Sequence, residues 1–184
     1  LQPGQSIAVY GCGGVGLSAI QIAKGLGATV FAVDISPEKC GIALELGADY
    51  AVNARKEDPV EAIREYSKGG VHLGVDALGH RDTCLQSINS LRKRGKHIQL
   101  GLMTEDHAHT AIPMAKVIAH ELEIVGSHGI QSAKYPEMFR FLEEKQIDLK
   151  KMIGRRVSLN QVPDLLPKLN TADQAGITII DNFT

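Results

Sequence analysis

Gly11-Cys12-Gly13-Gly14-Val15-Gly16 lies between two segments of different periodicity, and this position decides the fold. The apolar run Ile7-Ala8-Val9-Tyr10 before it predicts a buried strand. Apolar residues then recur at three- and four-residue spacing through Leu26, which predicts a helix with one apolar face. A strand, a glycine-rich turn and a helix in this order form the context in which such a turn binds a dinucleotide.

Each glycine of the turn has a separate physical role in this hypothesis. Gly11 permits the tight turn out of the strand, and Gly13 leaves bare backbone for a pyrophosphate. Gly16 lets the helix pack closely on the strand, and the first helical N–H groups direct partial positive charge at the phosphates. The alternative interpretation is a structural glycine-rich turn that binds nothing.

A carboxylate at the end of the next apolar run supports a nucleotide site. Asp34 follows Thr29-Val30-Phe31-Ala32-Val33 and lies 23 residues after Gly11. An acid at a spacing of about 20 residues bonds the adenosine ribose hydroxyls in dinucleotide-binding folds. Such a carboxylate also repels a 2′-phosphate, and Ile35-Ser36 supplies no arginine to offset that repulsion. The predicted cofactor is therefore NAD rather than NADP.

The composition excludes several other classes of protein. The 184 residues are 43% hydrophobic and 22% charged, as in ordinary globular domains. The net charge of −1 predicts no nucleic-acid surface, and no apolar run approaches the ~18 residues of a membrane span. The three cysteines are far apart and lack zinc-ligand spacing, which predicts reduced thiols and a cytoplasmic location.

Strands and helices alternate through residue 126, which predicts an α/β fold with a mostly parallel sheet. Six strands in this sequence suit a doubly wound Rossmann sheet of order 3-2-1-4-5-6. The predicted strands cover residues 7–10, 29–34, 50–53, 73–76, 96–101 and 121–126. We divide the chain into a Rossmann domain, residues 1–127, and an α+β tail, residues 128–184. The tail has predicted helices at 135–145 and 162–169 and predicted strands at 155–159 and 176–180.

Three further polar residues have competing interpretations. Asp76 ends the fourth predicted strand, where it either faces a ligand at the carboxyl edge of the sheet or caps the following turn. His107 and His109 are two residues apart, but no third ligand has a convincing spacing. Solvated loop histidines are therefore favoured, and neither a metal site nor a catalytic residue is predicted in this chain.

Taken together, the motifs resemble the medium-chain dehydrogenase/reductase family, and within it the zinc-dependent alcohol dehydrogenases. The resemblance extends over essentially the whole chain. The stretches that carry it are Pro3-Gly4, Gly11-Cys12-Gly13-Gly14-Val15-Gly16-Leu17, Ala32-Val33-Asp34, Leu46-Gly47-Ala48-Asp49, Asp76-Ala77-Leu78-Gly79, Leu100-Gly101-Leu102 and Gly126-Ser127-His128-Gly129.

The resemblance implies contacts along the whole dinucleotide. Asp34 would bind the adenosine ribose, and Lys39 would reach the same ribose or its neighbouring phosphate. Val15 would pack on the nicotinamide, while Leu78 and His80 would lie over the adenosine half. The complete predicted cofactor-binding set is Gly11, Gly13, Gly14, Val15, Gly16, Asp34, Lys39, Asp76, Ala77, Leu78, His80, Leu100, Gly101 and Leu102, the last three at the nicotinamide end.

The family's architecture implies a larger protein. Its cofactor domain interrupts a GroES-like catalytic domain, so this chain would be the cofactor domain with the returning catalytic segment. The catalytic zinc ligands and the proton relay would lie in the missing N-terminal part, and zinc is expected only in the full-length protein. Many relatives place an arginine for the pyrophosphate where this chain has Ile177. Relatives also pair sheet edges, which predicts a homodimer through strand 121–126.

The implied reaction is hydride transfer between an alcohol or aldehyde substrate and NAD, with zinc as the Lewis acid in the whole enzyme. This chain alone, without a zinc site or a complete substrate pocket, would bind NAD weakly and be inactive. Two alternatives stay open: a zinc-free quinone reductase of the same family, and a non-catalytic NAD-binding regulatory module.

Overall fold

The computed structural model describes residues 1–168 and 175–183, and its larger sheet has six strands. These strands are β1 Ser6–Tyr10, β2 Thr29–Asp34, β3 Tyr50–Asn53, β4 Val71–Asp76, β5 Leu91–Gln99 and β6 Glu123–Gly126. The helices between them are α1 Gly14–Gly25, α2 Pro37–Glu45, α3 Pro59–Tyr66, α4 Arg81–Asn89 and α5 Met114–His120. The order β3-β2-β1-β4-β5-β6, with every neighbouring pair parallel, confirms the predicted Rossmann sheet.

Helices cover both faces of the central strands. Val9 of β1 belongs to the hydrophobic cluster that contains Leu17 of α1. Its neighbour Tyr10 points to the other face, into the cluster that contains Ile63 of α3 and Ile88 of α4. Because successive residues of β1 are buried on opposite faces, the strand is apolar from Ile7 to Tyr10 and has no alternating pattern.

Local sequence signals set the ends of the first two helices. Pro37 is the first residue of α2, and the Ser36 side chain before it accepts a hydrogen bond from the Lys39 backbone N–H at 3.4 Å. Gly27 and Gly47 follow α1 and α2 with φ angles of +79° and +109°, which glycine adopts without strain. These turns return the chain to the amino ends of β2 and β3.

The fifth strand begins five residues earlier than the predicted strand at residues 96–101. Leu91 is fully buried and pairs with Val71, after which the register shifts so that Lys96 pairs with Leu73. The four residues between Leu91 and Lys96 form a bulge that includes Arg94 at a φ of +59°. Because the bulge contains charged residues, the spacing of apolar residues does not predict a strand there.

The tail forms a second layer against α1. It contains helices α6 Tyr135–Glu144 and α7 Val162–Leu165 and strands β7 Ile153–Ser158 and β8 Ile177–Asn182, which pair in parallel. Met152 is 4% exposed and joins the hydrophobic cluster around α1. The predicted helix at 162–169 is confirmed only for its first residues, since a 3-10 turn follows at Leu166–Lys168 and residue 169 lies outside the described residues. Within the described ranges, no helix is long and apolar enough to cross a bilayer.

Candidate functional site

The glycine turn brings β1 and α1 into backbone contact. Gly11 has a φ of +92°, a conformation that favours glycine. A Cβ atom on Gly16 would overlap the carbonyl oxygen of Gly11, so only glycine lets α1 approach the strand this closely. A Cβ atom on Gly13 would meet no atom within 4 Å, so the backbone there faces open space. The tight turn, the open backbone and the close packing of α1 agree with the predicted geometry, whereas pyrophosphate binding at Gly13 stays a prediction.

The amino end of α1 has the features that favour an anion. Gly13 precedes the helix in an extended conformation and supplies no side-chain cap, so the N–H groups of Gly14 and Val15 lack intrahelical partners. Uncapped N–H groups and the helix dipole together favour an anion. The fit to a pyrophosphate therefore rests on open backbone rather than on a cationic side chain.

The tail reaches this turn through Ile177, at the start of β8. A Cβ atom on Gly14 would lie 2.9 Å from Cγ2 of Ile177, so an apolar side chain rests against the first residue of α1. The family resemblance leads us to expect an arginine at this position, whereas Ile177 brings no charge to the turn.

Asp34 ends β2 beside the glycine turn. One carboxylate oxygen accepts a hydrogen bond from the Cys12 N–H at 2.8 Å, and the other accepts from the Ser36 N–H at 2.9 Å. The carboxylate therefore holds the glycine turn and the start of α2 together, a contact that sequence reasoning missed. Lys39, which is half-buried in the first turn of α2, is the single cationic residue of that helix.

Cys12 is part of the packing rather than a reactive group. Its thiol is fully buried and donates to the carbonyl oxygen of Val33 at 3.7 Å. Burial, together with the Asp34 carboxylate, raises the pKa of Cys12 well above its usual range. The thiol therefore stays protonated next to the predicted phosphate site.

The turns after β4 and β5 lie against each other at the same edge of the sheet. A Cβ atom on Gly101 would overlap the backbone nitrogen of Gly79, so both turns depend on glycine at their contact. The Ala77 N–H donates to the Tyr10 carbonyl at 2.9 Å, and the Leu100 N–H donates to the Asp76 carbonyl at 2.9 Å. These bonds fix the height of both turns relative to β1.

Asp76 caps the first of these turns. It is fully buried, and its Oδ1 accepts from the N–H groups of Leu78 at 2.9 Å and Gly79 at 3.1 Å. Of the two interpretations given for Asp76, capping is the one that the hydrogen bonds display. A direct contact between Asp76 and a cofactor stays a prediction.

Three apolar side chains of the predicted set are exposed around the turns. Val15 is 55% exposed, Leu78 is 60% exposed and Leu102 is 74% exposed. They come from the first turn of α1 and from the loops after β4 and β5, respectively. Exposed apolar side chains around a polar backbone cradle are the usual lining of a small-molecule site.

His80 and His107 form a contact that the sequence did not reveal. His80 precedes α4, and its Nδ1 accepts from the Asp82 N–H at 3.1 Å. Its ring lies 4.0 Å from the ring of His107, centroid to centroid, at an angle of 47°. His107 is therefore docked on His80 rather than solvated, whereas His109 is exposed. Among residues 1–168 and 175–183, no group of three or more histidine, cysteine, aspartate or glutamate side chains could hold a metal ion.

Comparison with known proteins assigns the family. A family model described as "Zinc-binding dehydrogenase" matches residues 14–144. The chain belongs to this family. It is 39% identical over 126 residues to an alcohol dehydrogenase from Geobacillus stearothermophilus, covering 68% of this chain and 36% of that enzyme. It is 29% identical to an NAD-dependent alcohol dehydrogenase from Saccharolobus solfataricus, covering 98% of this chain and 51% of the relative.

Solved structures of zinc-binding dehydrogenases share the fold. One from Sinorhizobium meliloti 1021, described as bound to NADP, superposes with a TM-score of 0.88 at 27% identity and covers 97% of this chain and 53% of that one. The present chain thus spans about half the length of the relatives it matches, or less.

Proposed function

We propose that this chain binds NAD and forms the cofactor-binding part of an oxidoreductase that transfers hydride between an alcohol carbon and the nicotinamide. The observation that carries this proposal is the glycine turn at the uncapped end of α1, with the Asp34 carboxylate beside it. Bound NAD would supply the hydride acceptor, while the protein supplies binding and orientation.

The proposed contacts divide between the two halves of the cofactor. The N–H groups at the start of α1 bind the pyrophosphate, and Asp34 accepts hydrogen bonds from the adenosine ribose hydroxyls. Lys39, in the first turn of α2, reaches the same end of the cofactor. Val15 and Leu102 cover the nicotinamide end and exclude water from it, because both side chains are apolar and exposed.

The proposed preference for NAD rests on the charge of Asp34. A carboxylate at the ribose repels a 2′-phosphate, and one relative of this chain is named an NAD-dependent enzyme. The Sinorhizobium meliloti protein of the same fold is described as bound to NADP, which supports the idea that this fold can hold either dinucleotide. Selectivity is therefore a property of side chains at the ribose and not of the fold.

We propose alcohols or aldehydes as substrates of the whole protein and the cytoplasm as its location. The relatives named alcohol dehydrogenases support the substrate class. The described residues do not suit a zinc ion, because no three ligand side chains converge among them. We therefore propose that the tail joins a catalytic domain that carries the metal, and that this chain alone is inactive.

Titration calorimetry tests the proposed function directly. We expect this chain to bind NAD with a dissociation constant on the order of 0.1–1 mM, about −4 to −5.5 kcal/mol, because it spans only about half the length of its relatives. ADP-ribose should bind comparably, since the adenosine and pyrophosphate contacts dominate. Absence of saturable binding at millimolar NAD would contradict the proposal. Alcohol-dependent NADH formation by this chain would contradict its proposed inactivity.

The exposed edge of the sheet supports a homodimer. All four residues of β6 are exposed, and Ile124 and Val125 are 40% and 39% exposed. An apolar edge strand with free backbone groups is a template for pairing with a second copy. We expect twice the chain mass by light scattering at micromolar concentration, and the single-chain mass for Val125→Lys, which places a charge on the edge. A wild-type chain that scatters as a monomer would exclude this pairing.

A further inference from the structure

Gln99, the last residue of β5, connects the two turns that follow β4 and β5. Its Nε2 lies 2.7 Å from Oδ2 of Asp76 and 2.9 Å from the carbonyl oxygen of Gly101. Both partners are hydrogen-bond acceptors, so the side-chain NH₂ group must face them. The orientation of the Gln99 amide is therefore determined by its surroundings.

This orientation determines which ring nitrogen of a buried histidine carries the proton. Oε1 of Gln99 is 3.1 Å from Nε2 of His97, and an amide oxygen only accepts, so Nε2 carries the proton. Nδ1 then accepts from the hydroxyl of Ser87 at 2.9 Å. His97 is 1% exposed, and burial lowers its pKa, which favours this neutral form. The Nε2–H of His97 thus donates to Oε1 of Gln99 and stabilises the amide in this orientation.

Asp76 needs the donor that Gln99 provides. Its carboxylate is fully buried, and no cationic side chain forms an ion pair with it among the described residues. Oδ1 accepts from Leu78, Gly79 and the Thr83 hydroxyl, whereas Oδ2 accepts from Gln99. Removing the amide would leave one oxygen of a buried carboxylate without a partner, which is costly.

We propose that Gln99 is a positioning residue for the dinucleotide, because its amide ties the turn at Leu78–Gly79 to the turn at Gly101. The turns carry the predicted contacts to both halves of the cofactor, so their relative position sets the width of the cleft. The effect on cofactor binding rests on the proposed function. The tie between the turns does not, and it can be measured without cofactor.

Amide hydrogen exchange of the free chain tests the tie. In Gln99→Leu we expect the Leu78 and Gly79 amides to exchange about tenfold faster than in wild type, because their acceptor carboxylate loses its support. Gln21→Leu is the matched control, since Gln21 is also buried but its Nε2 has no partner among the described residues. It should leave both rates unchanged. Unchanged rates in Gln99→Leu would overturn the proposal.

Cofactor titration tests the consequence for binding. We expect Gln99→Leu to weaken NAD binding about tenfold and Gln21→Leu to leave it unchanged. Faster exchange with unaltered NAD affinity would overturn the positioning role. If wild type binds no NAD, the proposed function fails, and the exchange rates still decide whether the tie exists.

Gln99→Glu gives a readout that a loss of packing would not produce. The new carboxyl group would face Asp76 of β4 at hydrogen-bond distance, and two adjacent carboxyl groups share one proton until the pH is well above the usual carboxyl range. The other titratable groups near Asp76 are His97 of β5 and Cys84 of α4, whose Sγ is 3.9 Å from Nε2 of His97. While one proton is shared with Asp76, the contact with Asp76 persists, although the carbonyl oxygen of Gly101 loses its donor. We expect the protection of the Leu78 and Gly79 amides to be near wild type at about pH 6 and to fall about tenfold by about pH 9, while the protection in wild type stays flat. A pH-independent loss would contradict the proposed role of the amide.

Discussion

Gly16→Ala is expected to lower the free energy of unfolding by about 3 kcal/mol and to abolish measurable NAD binding. The added methyl group would overlap the carbonyl oxygen of Gly11, which belongs to the backbone and cannot rotate away as a side chain would. Either α1 moves off the sheet or the turn at Gly11 changes conformation. In both cases the first N–H groups of the helix lose their position.

Denaturant unfolding and NAD titration of the same preparation check this expectation. Gly41→Ala provides the control, because Gly41 lies inside α2 and a Cβ atom there meets nothing within 4 Å. This substitution should stabilise the chain by about 0.5–1 kcal/mol, as expected for glycine replaced within a helix, and leave binding unchanged. A Gly16→Ala chain that unfolds and binds as wild type would show that α1 can relax without cost.

The contact between Gly16 and Gly11 was predictable because it depends on local geometry. A strand, a tight turn and a helix bring two residues five positions apart into contact whatever the rest of the chain does. The strand order was predictable for a related reason, since parallel strands joined by right-handed helical crossovers have few arrangements. Short-range patterns and topological rules therefore account for the sheet and for its phosphate cradle.

The environment of Asp76 could not be derived in the same way. Its capping of the next turn is local, but its second oxygen is satisfied by Gln99, which is 23 residues away and on another strand. Nothing in the spacing of polar residues indicates that an amide at the end of β5 points sideways to β4. Side-chain networks across strands depend on register, and the register here includes a bulge before Lys96.

The contact that His107 makes could not be predicted, for a comparable reason. Two histidines in a polar loop suggest solvation, yet His107 packs on His80 at 4.0 Å between ring centroids. A loop's path over the surface is set by what it meets there, and periodicity carries no information about it. The roles of the predicted cofactor-binding residues stay predictions, because they depend on contacts with a ligand.

Asp34→Asn is expected to reduce the preference for NAD over NADP by about tenfold or more. The substitution keeps the shape of the side chain but removes the charge that repels a 2′-phosphate and strengthens hydrogen bonds from ribose hydroxyls. NAD affinity should fall by about tenfold, or 1.4 kcal/mol, while NADP affinity should stay constant or rise. Parallel titrations with both dinucleotides give the ratio of dissociation constants.

The ratio separates two functions of this carboxylate. Asp34 also accepts from the N–H groups of Cys12 and Ser36, so Asp34→Asn weakens a structural contact as well. Asp49→Asn is the control, because Asp49 accepts from the Val30 N–H at 2.8 Å near the opposite end of the same strand. It should lower stability without altering the ratio. If Asp34→Asn weakens NAD and NADP equally, the carboxylate acts only by holding the glycine turn, and selectivity must come from another residue at the ribose.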